Sequence, residues 1–186
     1  TVINGGGGAN MFIYTSPSVG GATISAAYQN HASAAAESYT DFAIAVSPEG
    51  IDGLTIGAAM SNNTVGTAVD VDESTMYATY AMGAFTVGVQ ASDRDHTTAN
   101  SDQESVAYGV TYAVNDDFSI GYSYHEVEFE TGATNNSDQK STGISASYTM
   151  GGMTLAGAMN DVENMQGSSA AANDVEGYEF TLSFAF

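Results

Sequence analysis

Large apolar residues alternate one for one with small or polar residues along most of this chain. Val106, Tyr108, Val110, Tyr112 and Val114 interleave with Ala107, Gly109, Thr111 and Ala113. Phe118, Ile120, Tyr122 and Tyr124 interleave with Ser119, Gly121, Ser123 and His125. Phe85, Val87 and Val89 oppose Thr86, Gly88 and Gln90, while Ile144, Ala146, Tyr148 and Met150 oppose Ser145, Ser147 and Thr149. The sequence closes on Tyr178, Phe180, Leu182, Phe184 and Phe186, separated by Glu179, Thr181, Ser183 and Ala185. Successive side chains of a strand point to opposite faces, so each run predicts a strand with one apolar face and one small, polar face. Eleven strands are predicted, at 10–17, 22–31, 38–48, 54–62, 73–83, 84–93, 104–115, 117–129, 140–150, 153–161 and 176–186. No capped stretch with a 3.6-residue period predicts a helix.

The connections carry a second pattern. Tight turns are expected at Ser18–Gly21, Pro48–Gly53, Met82–Ala84, Asn115–Asp117 and Gly151–Gly152. Longer polar loops are expected near 31–38, 62–73, 93–104, 129–140 and 161–176, so that short and long alternate. A soluble sandwich has no reason to sort its loops this way, whereas a membrane barrel has short periplasmic turns and longer extracellular loops. Strands of about ten residues suit a tilted membrane strand of about 9–11 residues better than the 5–6 usual in soluble sheets. The pattern therefore predicts an all-β, transmembrane, antiparallel up-and-down β-barrel, apolar face to lipid and polar face to water. Its small inward residues suit a wide, wet lumen rather than a packed one.

Loop order makes the eleventh strand run from outside to the periplasm, with Phe186 at the periplasmic rim. Single-chain bacterial barrels close with an even number of strands, and an open edge in lipid leaves backbone groups unsatisfied. Eleven strands are thus expected to be part of a larger barrel whose N-terminal strands lie elsewhere. The first residue is Thr1, with no initiator Met or signal peptide, as in a processed chain or a fragment.

Charge narrows the partners. Two Lys and Arg stand against 22 Asp and Glu, for a net charge of −20. Nucleic acid, which needs a basic footprint, is excluded as a partner. Acidic chains with few aromatics are often disordered, but eleven Tyr and eight Phe argue against that. The absence of Cys rules out disulfides and thiolate metal sites. Solubility or a salty habitat would also explain the acidity.

The acids of the expected long loops suggest a negative mouth that concentrates cations. Asp70, Asp72 and Glu73, with Asp93 and Asp95, are candidate mouth residues and candidate oxygen ligands for Ca²⁺. They lack the spacing and glycine of an EF-hand, and a plain solvated loop is the alternative. Ca²⁺ or Mg²⁺ there could bridge to lipopolysaccharide. Asp41, Gln90, Ser123, His125 and Glu179 share the lumen parity and are candidate pore-lining residues. His31, His96 and His125 have no metal-ligand spacing, and no motif assembles a nucleophile with a base, so neither metal catalysis nor hydrolysis is expected. Gly5–Gly8 lacks the Lys-Ser/Thr of a phosphate loop. Tyr14, Tyr28, Tyr80, Tyr112, Tyr124, Tyr148 and Tyr178 fall on lipid parity, as an interfacial girdle requires. Arg94 and Lys140 read as loop-base residues able to pair with neighbouring acids.

These features resemble the trimeric general-diffusion porins of Gram-negative bacteria. Asn10-Met-Phe-Ile-Tyr-Thr-Ser-Pro17 resembles the strand after their constriction loop, and Tyr80–Val89 resembles one of their tight periplasmic hairpins. The resemblance implies a sixteen-stranded parent with five strands before the constriction loop and eleven after it. Residues 1–9 would then end that loop, and 10–186 would supply the C-terminal strands. It implies a homotrimer in outer-membrane lipid and lipopolysaccharide, passing small hydrophilic solutes without a cofactor. It also implies that Tyr178, Phe180, Leu182, Phe184 and Phe186 form the signal read by the barrel-assembly machinery. The family's eyelet arginines lie mostly on the earlier strands and find no counterparts here. A non-channel surface barrel, an adhesin or scaffold with Ca²⁺-binding acidic loops, is the alternative within the membrane. A secreted β-sandwich or β-solenoid is the alternative outside it.

Overall fold

The computed structural model describes residues 11–30, 38–65, 69–97, 101–130, 137–170 and 173–185. The strands are β1 (Met11–Thr15), β2 (Ala22–Gln29), β3 (Ser38–Val46), β4 (Leu54–Val65), β5 (Val69–Met82) and β6 (Phe85–His96). They continue as β7 (Gln103–Ala113), β8 (Phe118–Phe129), β9 (Gln139–Met150), β10 (Met153–Glu163) and β11 (Val175–Phe184). All eleven form one sheet in chain order, each antiparallel to the next. Among the described residues there is no second sheet, so the sandwich alternative falls. No helix among them is long and apolar enough to cross a membrane.

The tight hairpin between β5 and β6 shows why this end is compact. Met82 faces Phe85 across Gly83 and Ala84, and Gly83 has a φ of 59°. A two-residue loop with glycine first matches the right-handed twist of the strands it joins. β9 and β10 turn the same way over Gly151–Gly152.

The opposite end, called upper here, departs from the sequence pattern. β4 runs to Val65 and β5 starts at Val69, which leaves only 66–68 where a loop over 62–73 is expected. The β3–β4 connection at the lower end, 47–53, is longer than that, so the sorting of short and long connections fails at this pair. β6 likewise continues to His96 and β7 begins at Gln103. Asp70, Asp72, Glu73, Asp93 and Asp95 therefore stand on paired strands, not in loops. Cross-strand bonds carry the extension: Asn62 Nδ2 donates to Asp72 Oδ1 at 2.7 Å, and Thr64 Oγ1 donates to Asp70 Oδ1 at 2.7 Å. Pairing through His125 and Glu126 is unbroken, which excludes a bulge at the point where the apolar alternation ends. A single 3₁₀ turn, Met165–Gly167, lies in the β10–β11 connection where no helical turn is expected. Residues 1–9, Phe186 and His31 lie outside the described residues.

Gly53 and Gly50 share one lower turn but differ in surroundings. Gly53, at φ 82°, would place a Cβ 2.4 Å from the Ala81 carbonyl oxygen, whereas Gly50, at φ 89°, has open space. Gly50→Ala is expected to cost about 1–2 kcal/mol for the left-handed backbone alone. Gly53→Ala is expected to cost more, because the β4–β5 edge must also shift. Urea unfolding in lipid vesicles checks the order.

Candidate functional site

The sheet has two unlike faces, and their exposures show how it curls. Glycines aside, Ala27, Gln29, Tyr39, Ser61, Val71, Ser92, Ser105 and Val127 are the buried residues among those described, and all eight share one side-chain parity. The other parity carries the large apolar side chains, and they are exposed: Met76 at 65%, Val89 at 57%, Phe180 at 82%. Ile13 and Val175, on edge strands β1 and β11, depart from this rule. A curled sheet shields its concave face with its own neighbours, so the small polar face is the inner one. No described side chain is fully buried, so no dry core holds the sheet together.

Register partners stack into rungs across the inner face. The uppermost that concerns the site is Asp41–Ser61–Glu73–Arg94. Ser61 Oγ donates to Glu73 Oε2 at 3.4 Å, and Arg94 Nε lies 3.5 Å from Glu73 Oε1. That separation makes the pair a contact of charges rather than a well-formed hydrogen bond. The next rung down is Ala59–Thr75–Ser92–Ser105, tied by a 2.8 Å bond between the Thr75 and Ser92 hydroxyls. Below it comes Gly57–Tyr77–Gln90–Ala107–His125, with Gln90 Nε2 donating to Thr75 Oγ1 at 3.0 Å. The Tyr77 ring lies flat over Gly57, where a Cβ would meet its Cε1 at 2.3 Å. A further rung, Thr79–Gly88–Gly109–Ser123–Gly143, leaves a groove of about 490 Å³ along the wall.

Of the residues expected to line a lumen, Gln90, Ser123 and His125 are thus brought together, and Asp41 stands two rungs higher. Glu179 is on the same face but far round the sheet, opposite Ala158 on edge strand β11, where it accepts from Thr181 Oγ1 at 3.4 Å. Of the acids expected at the mouth, Glu73 alone is on the inner face. Asp70, Asp72, Asp93 and Asp95 lie on the outer parity, level with or above the apolar band. Like charges face one another there: Asp72 opposite Asp95, and Asp93, Glu104 and Glu128 in a single rung. Among the described residues no group of three or more His, Cys, Asp or Glu is placed to hold a metal ion. The Glu73–Arg94 pairing was legible: the parity of Gln90, carried through Ser92, puts Arg94 inside. Pairing of Arg94 with a neighbouring acid is as expected, but its place on the inner face is not, because that stretch reads as loop.

The outer face is ordered by aromatics from the lower end to mid-height and acids at the upper end. Phe85 stacks on its partner Tyr112 at 4.6 Å, and Tyr108 on Tyr124 at 4.9 Å. Such pairs contribute about 0.5–1.5 kcal/mol beyond their buried area. Tyr124 Oη donates to Glu126, which joins the aromatic band to the acids above it. Tyr178, Phe180, Leu182 and Phe184 share the outer face of β11.

A family model described as Gram-negative porin matches residues 1–167. The chain belongs to the Gram-negative porin family. No curated protein matches its sequence. OmpT folded in vitro, an outer membrane protein of Vibrio cholerae, aligns over 92% of this porin with a TM-score of 0.67 at 17% identity. The porin spans only 62% of the length of that chain. The trimer form of OmpT aligns over the same share, with a TM-score of 0.63 at 18% identity. The NanC porin aligns over 95% of this chain and 92% of its own, with a TM-score of 0.56 at 11% identity. The KdgM porin, solved in complex with disordered oligogalacturonate, aligns over 95% and 91%, with a TM-score of 0.51 at 10% identity. At such identities the likeness is one of fold, and that fold is the wall of an outer-membrane β-barrel. This porin is a protein of the bacterial outer membrane.

That setting explains the outer face. Counting about ten residues, one membrane crossing, up from Met82 and Phe85 reaches Glu73 and Arg94. The outward acids Asp72, Asp93 and Asp95 therefore begin where the hydrocarbon ends. Val89, near mid-depth, tests the assignment of faces. Val89→Arg is expected to destabilise the folded barrel by about 2–4 kcal/mol, since a charge there meets lipid. Ala107→Arg, one strand over and facing water, is expected to change stability by no more than about 0.5 kcal/mol. Urea unfolding in lipid vesicles separates them.

Just past the upper end of β8, a hydrogen bond with Asp102 holds the Glu130 carboxyl above the usual carboxylate range, and the charge of Asp102 adds to this. Asp102 also accepts from the His96 backbone N–H at 2.7 Å, and its own carbonyl accepts the Glu130 N–H at 2.9 Å. A carboxyl whose pKa is raised on folding stabilises the fold at low pH, and that contribution fades as pH rises through the raised value. Exchange protection of the Glu130 amide, corrected for intrinsic rate, is expected to fall as pH rises past the carboxylate range. Glu130→Gln is expected to remove that dependence.

Proposed function

We propose that this porin forms part of a passive, water-filled channel that admits small hydrophilic solutes and prefers cations. The observation that supports it best is the division of one wall into two faces. Exposed Phe, Tyr, Met, Val and Ile cover the outside, while Ser, Thr, Gly, Gln and a few charged residues cover the inside. Each large apolar side chain removed from water stabilises the inserted barrel by about 1.5–3 kcal/mol, and the small inner side chains leave room for water. The reading requires no chemistry and no cofactor.

In this proposal β1–β11 are eleven of sixteen strands. The two sheet edges need partners in lipid, and the match to only 62% of OmpT is in keeping with a larger barrel. The upper end is extracellular, and three such barrels associate in lipopolysaccharide-rich membrane after delivery by the assembly machinery, which reads Tyr178, Phe180, Leu182, Phe184 and Phe186. The inward acids Asp41 and Glu73 act on passing ions. The outward acids Asp70, Asp72, Asp93 and Asp95 stand at headgroup level, where divalent cations such as Ca²⁺ could neutralise them together with lipid phosphates.

Planar-bilayer recording of the intact protein in a KCl gradient tests the proposal. Stepwise conductance with a cation-selective reversal potential is the expected result. Absence of steps overturns the channel, and anion selectivity overturns the role given to the inner acids.

A further inference from the structure

We infer that the inner-face rung Asp41–Ser61–Glu73–Arg94 sets the ion selectivity of this wall, and that Arg94 is the residue that moderates it. The inference rests on the channel reading above and adds to it which charges act. Along the rung the charges run negative, neutral, negative, positive. The chain contains two Lys and Arg residues in all. Lys140, opposite Glu126 and Glu163, is on the outer parity of β9, so Arg94 is the one Lys or Arg on the inner face.

Arg94 stands against Glu73 at 3.5 Å, and the Glu73 side chain is 11% exposed against 36% for Arg94. Ser61 holds the second oxygen of Glu73. To an ion in the lumen the pair is nearly neutral, with the cationic end the more accessible. Asp41 is two strands from Glu73, about 10 Å, which is about one Debye length at 0.1 M salt. No ion pair to Asp41 occurs among the described residues, so it carries the net charge of the rung. A unit charge about 7 Å from an ion in water shifts its energy by roughly RT, so losing one such charge changes local cation enrichment about threefold. The rung lies about one membrane crossing above the lower hairpin, at the outer boundary of the span, where an entering ion meets it before the neutral Gly-Ser groove below.

Reversal potentials of the intact porin in a KCl gradient test this. Arg94→Gln is expected to raise the K⁺/Cl⁻ permeability ratio about sevenfold, since K⁺ gains and Cl⁻ loses the same factor of about three, and Arg94→Lys to leave it near the starting value. Asp41→Asn is expected to lower it, and Glu73→Gln to lower it further by freeing Arg94. Asp95→Asn, on the outer face at the same height, is the control and is expected to change nothing. Unchanged ratios in the Arg94, Asp41 and Glu73 variants of a conducting porin overturn the rung alone, as does a larger effect from Asp95→Asn. No conductance from any of them overturns the channel and the rung together. If Glu73→Gln fails to fold, Arg94→Lys against Arg94→Gln still decides the matter.

Discussion

A backbone amide that enters lipid unpaired costs several kcal/mol, and nothing in hydrocarbon can relieve it. The continuous ladder from β1 to β11 answers that constraint. Once the ladder supplies every mid-sheet hydrogen bond, the side chains are relieved of building a core, and none is fully buried. They are free to serve two solvents. Outward positions stabilise by leaving water, whereas inward positions need only stay small or polar. Glycine is useful inside for that reason: at Gly57 it lets the Tyr77 ring lie against the wall, and at Gly143 a Cβ would sit 2.8 Å from both Asn160 Oδ1 and Ser123 Oγ.

How much of this was legible follows from what period-2 alternation reports. It marks strands that separate lipid from water, and there it placed all eleven, with Phe118–Tyr124 and Phe85–Gln90 on the right faces. Above the membrane both faces of a strand are wet. Thr64, Asp70 and Asp72 put polar groups on the face that is apolar lower down, and so read as loop. Their hydrogen bonds across the β4–β5 pair hold them in strand instead. The same blindness moved Arg94 and Asp95 off their strand, and with them the facts that most of the acids face outward and that the arginine faces in.

Charge on such a wall has meaning only once its face is known. A net charge of −20 spread over both faces says little about an ion in the lumen. Three inner residues at one height, Asp41, Glu73 and Arg94, say more, because water-facing charges within a Debye length are the ones an ion meets. The groove below them, lined by Gly88, Gly109 and Gly121, carries no Asp, Glu, Lys or Arg. Over β4–β8 the wall therefore changes character along its height, from a charged lip to a groove without carboxylates, while Glu179 keeps a charge on the inner face of β11.

The outer rung Asp93–Glu104–Glu128 puts three carboxylates directly opposite one another on neighbouring strands. Strands lie about 4.8 Å apart, so adjacent members sit well inside the roughly 8 Å screening length of physiological salt, and the two end members just beyond it. This edge of the sheet is therefore under lateral electrostatic pressure, like a seam pulled from both sides, while the hydrogen-bonded ladder beneath holds the strands together. The medium sets that pressure: dilute water would splay the strand tips apart, and concentrated brine would draw them together. The ionic strength around this edge thus sets how hard the tips of β6, β7 and β8 push on one another, through screening alone.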